Sequence, residues 1–219
     1  MPRGAPAAGA LPELAAVRWR SLVDEERLFR RERLWTATTA AHVFPFMVTA
    51  VLLGLLDPVL VPASLIALLC AWAIPDLYAA RGAGVLRPHP RRAAGDGAPE
   101  RRALGLLADL VGHDARVVLL DTGYVVERGR LGTWVVGEAG AVLLRPGGRR
   151  VHCMCVRVPD AELPPADRAA HLLLALRADE RGFATLANLA FAGALWRLLR
   201  RLPEPARRAL TAAREAQRS

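Results

Sequence analysis

Lysine is absent from this chain of 219 residues: all 30 of its basic residues are arginine. A phosphate-binding loop of the G-x-x-x-x-G-K-[ST] type is therefore excluded, because its lysine is what reaches the β- and γ-phosphates. Serine is nearly absent too, with Ser21, Ser64 and Ser219 only, and G-x-S-x-G and H-E-x-x-H do not occur. None of the three serines has a His–Asp setting, so serine-hydrolase chemistry is not expected. Three cysteines, one of them (Cys70) inside an apolar run, cannot build a disulfide scaffold. Apolar residues are not scarce. They make up 53% of the chain, enough surface to bury that disorder of the whole chain is excluded.

The charge is strongly positive, +9 at pH 7 with a pI near 11.1. An arginine-only, alanine-rich composition reads as the product of a GC-rich, bacterial-type genome. A positive protein is nonetheless drawn to anionic lipid and to nucleic acid. The densest positive stretches flank the apolar region, which favours the membrane.

Leu34 to Leu56 contains no Asp, Glu or Arg, and a second such run extends from Pro58 to Pro75. As a helix the first spans about 35 Å, enough for a hydrocarbon core of about 30 Å. Together they predict a transmembrane helical hairpin over 34–80, with spans at about 34–56 and 59–80. Asp57, Pro58 and Pro62 mark its turn. A buried helical hairpin of a soluble domain is the alternative, but soluble helices rarely lack charge for so long.

Arginines 18, 20, 27, 30, 31 and 33 precede the spans, and 81, 87, 91, 92, 101 and 102 follow. The turn has none. The positive-inside rule puts both termini in the cytoplasm of a plasma-membrane, multi-pass protein, with Trp35 and Tyr78 at the inner interface. His42 is expected to hydrogen-bond within a helix–helix contact, and Asp76 to meet Arg81 or water. The alanines and glycine at 40, 41, 50, 54, 63, 67 and 71 allow close packing within or between chains.

Residues 1–33 read as a mobile tail followed by an amphipathic helix, lying on the leaflet or extending the first span. Residues 81–98 read as an Arg/Gly/Pro linker. Residues 99–219 read as a cytoplasmic α+β domain: one helix, an antiparallel meander of about four strands, then C-terminal helices over one face. The helix is capped by Asp96 or Gly97 and ends near Gly112. The β-like runs are 117–120, 124–126, 131–136, 141–144 and 150–158, the first of which equally suits a helix. Helices are expected over 166–178, 182–201 and 204–216, with the uncharged Gly182–Trp196 a core helix packed on the sheet or an interfacial one.

Two local patterns bear on chemistry. Asp121-Thr122-Gly123 after Val118-Leu119-Leu120 has the form of an aspartic-protease motif, but that reaction needs two carboxylates sharing a proton. Only one such motif is present, with Tyr124 after it, and a polar turn is the preferred reading. His152-Cys153-Met154-Cys155 puts both thiols on one strand face, short of the four ligands a zinc site wants. Buried strand cysteines are the preferred reading, and no metal or cofactor is expected.

Glu100 to Leu144 resembles nuclease-related (NERD-like) domains of the restriction-endonuclease-like class. Val118-Leu119-Leu120-Asp121 looks like that family's first strand, and Leu131 to Leu144 like its second and third. The resemblance implies a nuclease ancestry, but the carboxylates that would hold the divalent metal are missing. The family's strand-two Asp falls on Gly132, and its Asp/Glu-x-Lys on Arg145-Pro146-Gly147. The expectation is a non-enzymatic membrane anchor carrying an interaction or scaffold domain, with membrane lipids and an unidentified protein as partners. The alternative is a membrane-tethered nucleic-acid-binding module. The candidate contacts to anionic lipid or nucleic acid are Arg81, Arg87, Arg91, Arg92, Arg128, Arg130, Arg145, Arg149 and Arg150.

Overall fold

The computed structural model describes residues 25–87, 97–156 and 163–218. Among the described residues two long helices come first, α1 (Glu25–Leu56) and α2 (Val61–Ala83), antiparallel and packed along their length. They turn at a short 3-10 segment, Pro58–Leu60, where the Asp57 carboxylate accepts from the Val59 amide at 2.8 Å. The close line between them runs through Ala50, Ser64, Ala67 and Ala71, with Gly54 against the Ser64 hydroxyl. Small side chains let two backbones approach, so that part of the small-residue stripe serves packing within this chain.

After α2 a 3-10 turn (Gly84–Leu86) leads towards α3 (Ala98–Leu110) and α4 (His113–Thr122). Gly97 is the N-cap of α3 and Pro99 lies in its first turn, as expected from the sequence. The sheet follows as β1 (Val125–Arg128), β2 (Thr133–Gly137), β3 (Gly140–Leu144) and β4 (Arg150–Cys155). Helices α5 (Pro165–Ala178) and α6 (Glu180–Leu186), strand β5 (Asn188–Ala194), and helices α7 (Leu195–Leu199) and α8 (Glu204–Ala216) complete the chain. The five strands form one antiparallel meander in the order β1-β2-β3-β4-β5. The fold is α+β.

Both faces of the sheet are covered, which is why its central strands are apolar without alternation. Trp134, Val136, Leu143 and Met154 face α3, α5 and α6, joined by Leu28 from α1. Val135, Val142, Leu144, Val151 and Cys153 face the end of α2, the 3-10 turn, α7 and α8. Alanines 206, 209 and 213 of α8 are fully buried, so that helix lies close on the sheet.

Several expectations are corrected. The run 117–120 is helical, inside α4, so the strand matched to the nuclease-like first strand is a helix. Residues 182–201 are not one helix: they divide into α6, β5 and α7. Alanine-rich β5 has helix-forming residues, but the open edge of β4 offers a row of backbone donors and acceptors that tertiary context satisfies with a strand. The meander has five strands, and helices lie on both of its faces rather than one.

The linker boundary shifts as well. Residues 81–83 end α2, and Val85 and Leu86 are buried against the sheet. At the other end α1 runs unbroken from Glu25, so residues 25–33 extend the first apolar helix. Residues 1–24 and 88–96, with Arg91 and Arg92, lie outside the described residues.

Candidate functional site

Two helices here, Leu28–Leu56 and Pro58–Leu86 with its 3-10 ends, are long and apolar enough to cross a membrane. Their outward side chains are exposed: Phe44 at 68%, Leu55 at 80%, Trp72 at 56%. The domain end of the pair is different, because there the helices enter the sheet's own cores. Trp35 stands edge-on to Tyr78, ring centroids 5.8 Å apart, and edge-on to Phe191 of β5 at 6.5 Å. Gly82 lies directly on Phe191, where a Cβ would come within 2.5 Å of the Phe191 Cβ. His42 bonds back to the Thr38 carbonyl at 2.7 Å and lies edge-on to Tyr78 at 6.2 Å.

Polar contacts lock the same junction. Glu32 of α1 pairs with Arg150 of β4, whose guanidinium also donates to Thr36 at 3.2 Å. Arg145 lies over the Phe29 ring at 4.1 Å, a cation–π contact. Asp76 pairs with Arg201, beyond α7, and not with Arg81. Arg87 donates to the Arg201 carbonyl at 3.4 Å. Arg145 and Arg150 thus hold α1 against the sheet.

The remaining candidate arginines do not converge. Arg128 ends β1, and Arg130 lies in the β1–β2 turn, its amide donating to Glu180 at 2.7 Å. Arg149 is exposed in the β3–β4 turn, and Arg81 is exposed at the end of α2. Sequence reasoning missed Arg31, which shares a groove with Arg81 between the two apolar helices. Its place near the aromatic Trp35 was the available signal.

His152 is the most deeply buried polar group of the junction among the described residues. Its ring is shut off from solvent on β4, with Nε2 3.5 Å from Glu32. Neither ring nitrogen has a well-formed hydrogen bond among the described residues. Burial, then the charges of Arg145 and Arg150, lower its pKa to about 4. The folded protein therefore holds His152 neutral, whereas the unfolded chain protonates it near pH 6.5. Between these values the unfolded state binds more protons, so stability rises with pH through the window and is complete above it. By pH 4 the loss should approach about 3 kcal/mol. Thermal melts of the detergent-solubilised protein between pH 4 and 7 should show this slope, and His152→Met should flatten it. Equal slopes in the two proteins would remove His152 as the cause.

The patterns singled out for chemistry have structural roles. Asp121 is exposed at the end of α4 and pairs with Arg208 at 3.1 Å. Thr122 bonds back to the Val118 carbonyl at 2.6 Å, and Gly123 (φ 77°) takes the left-handed conformation that stops the helix. D-T-G is thus a helix terminator, not a loop after a strand. Cys153 is fully buried, and burial raises its pKa well above the usual thiol range. Among the described residues no group of three or more His, Cys, Asp or Glu is placed to hold a metal ion.

At the position of the nuclease-like strand-two Asp, a Cβ on Gly132 would lie 2.2 Å from the Leu144 carbonyl oxygen. No side chain fits there. A cleft of about 320 Å³ opens beside the 3-10 turn after α2 and is lined by Glu100, Tyr124 and Glu138 among apolar side chains. Glu100 accepts from the Ala166 amide at 3.2 Å, an acid at a helix start where the macrodipole favours it. The Tyr124 hydroxyl donates to the Leu86 carbonyl. Burial and the nearby Glu138 push its pKa up to about 12, so it stays protonated at neutral pH.

An α+β domain whose sheet is joined through a shared core to two membrane-length apolar helices is the class these observations define. Neither family models nor curated proteins nor solved structures provide a match to the chain.

Proposed function

We propose that this chain is an integral membrane protein of the non-enzymatic kind, whose hairpin holds the α+β domain rigidly against the inner leaflet of the plasma membrane and presents it to a protein partner. One observation carries this reading: the middle of the hairpin exposes apolar side chains on its outer faces while its two ends are built into the sheet's cores. A soluble hairpin would leave an apolar surface far larger than soluble proteins tolerate. The arginine asymmetry supports both termini being cytoplasmic. The nucleic-acid reading draws on the same arginines, and it is weakened by the engagement of Arg145 and Arg150 with α1.

The chain is expected to remain in the membrane pellet after washing with alkaline carbonate and with high salt. Release by either wash would overturn the anchor. Labelling of a Ser219→Cys protein by a membrane-impermeant maleimide should require cell lysis. Labelling in intact cells would reverse the orientation.

A further inference from the structure

We propose that the groove between α1 and α2 at the domain end of the hairpin binds the headgroup of an anionic phospholipid, a site that rests on the membrane reading above. The groove has a volume of about 430 Å³ and is lined by Arg31, Trp35, Thr38, Thr39, Tyr78 and Arg81, with two leucines. Trp35 and Tyr78 touch across it and mark the depth at which amphipathic aromatics meet the headgroup region. Arg31 lies one helical turn before Trp35, and Arg81 three residues after Tyr78. Because the helices are antiparallel, both arginines leave the backbone on the domain side of the aromatic pair, about 5 Å from it along the helix axes. They come from different helices and flank a single groove.

The charge is one-sided. No carboxylate lines the groove among the described residues. The nearest acids on these helices are engaged elsewhere, Glu32 with Arg150 and Asp76 with Arg201. Arg31 gives one donor to the Thr185 carbonyl at 3.4 Å and keeps its others. Arg81 is exposed and has no ion-pair partner among the described residues. Thr38 and Thr39 donate back to the carbonyls of Leu34 and Trp35, at 2.8 and 2.9 Å, so their hydroxyls add no donor to the groove. The two guanidiniums are therefore its main donors. A phosphate with a neutral or acidic head suits them, and a choline cation does not. Acyl chains leaving the phosphate would run along the exposed apolar faces of the hairpin.

The test uses the purified full chain in detergent, offered equal amounts of dioleoylphosphatidylglycerol and dioleoylphosphatidylcholine, with retained lipid counted by native mass spectrometry. The wild-type protein should retain phosphatidylglycerol preferentially. Each arginine near a headgroup contributes about fivefold, so Arg31→Gln with Arg81→Gln should reduce the preference by about thirtyfold. Arg81→Gln alone, at an exposed position, should remove about fivefold without touching the fold. Arg128→Gln with Arg130→Gln, at the opposite edge of the sheet, should leave the preference intact. Equal retention of the two lipids by the wild-type protein would overturn the site, as would a preference that survives in the double variant. Displacement of the lipid by inorganic phosphate would show a soluble-phosphate site instead. A chain that resists carbonate but shows no preference loses only this site, whereas release by carbonate removes the membrane reading itself.

Discussion

Gly82→Leu is expected to separate the hairpin from the sheet. A Cβ at residue 82 would stand 2.5 Å from the Phe191 Cβ, 2.9 Å from its Cγ and 3.1 Å from the Cys153 sulfur. The Phe191 Cβ is fixed to the β5 backbone, so no rotation of the ring relieves the overlap. Helix propensity alone favours alanine over glycine by about 1 kcal/mol. Overpacking of a close contact costs about 1–3 kcal/mol, and more when backbone must move. Gly82→Ala should therefore lose about 1 kcal/mol net, and Gly82→Leu about 4 kcal/mol, a fall in melting temperature of about 10 °C. Gly84→Ala is the control, since a Cβ there meets nothing within 4 Å. Melting curves in detergent would show the difference. A leucine variant that melts with the wild-type protein would mean that the helix and β5 are not in contact.

Glu180→Ala should be of comparable severity. The Glu180 carboxylate accepts from the Arg130 amide at 2.7 Å, the Leu131 amide at 3.0 Å and the Trp134 indole nitrogen at 2.6 Å. Trp134 is fully buried and stands edge-on to Phe183 at 5.6 Å. Removing the carboxylate leaves the indole N–H and the Leu131 amide without acceptors, at about 1–3 kcal/mol each. A loss of about 4 kcal/mol is expected for Glu180→Ala. Glu180→Gln keeps one oxygen acceptor and should lose about half as much. Unfolding followed by tryptophan emission should rank the three proteins in that order. Equal stability of wild type and Glu180→Ala would show that the clamp does not hold the β1–β2 turn.

The hairpin was legible because its signal is local: charge is missing over a membrane's length, and Asp57 and the prolines mark the turn. Strands β2, β3 and β4 were legible from β-branched and aromatic runs between turn residues. β5 was not, because its seven residues, Asn188 to Ala194, hold three alanines and a glycine. Their strand state comes from β4 on one side and from α2 seated on the other, neither of which is adjacent in sequence. Val117–Leu120 reads equally as strand or helix, and its apolar β-branched pair lies in a helix that closes over β1 and α8. The junction was half legible. Trp35 and Tyr78 could be placed at one depth from their positions in the two spans. Arg145 and Arg150 could not be assigned to Phe29 and Glu32, because that pairing requires the sheet's end to meet α1. Glu180 offered no pattern at all, since its three donors lie about fifty residues away.

The placement of Phe191 against Gly82 also orders the protein's manufacture. The ribosome delivers the hairpin before β5, so the sheet's last strand closes on helices already made. The helix pair is the wall against which β5 docks. A fragment beginning at residue 98 would be made without that wall. It would leave Phe191 and the part of one core filled by Ala79, Ala83, Val85 and Leu86 open to water, which makes it a candidate for aggregation rather than a soluble version of the domain.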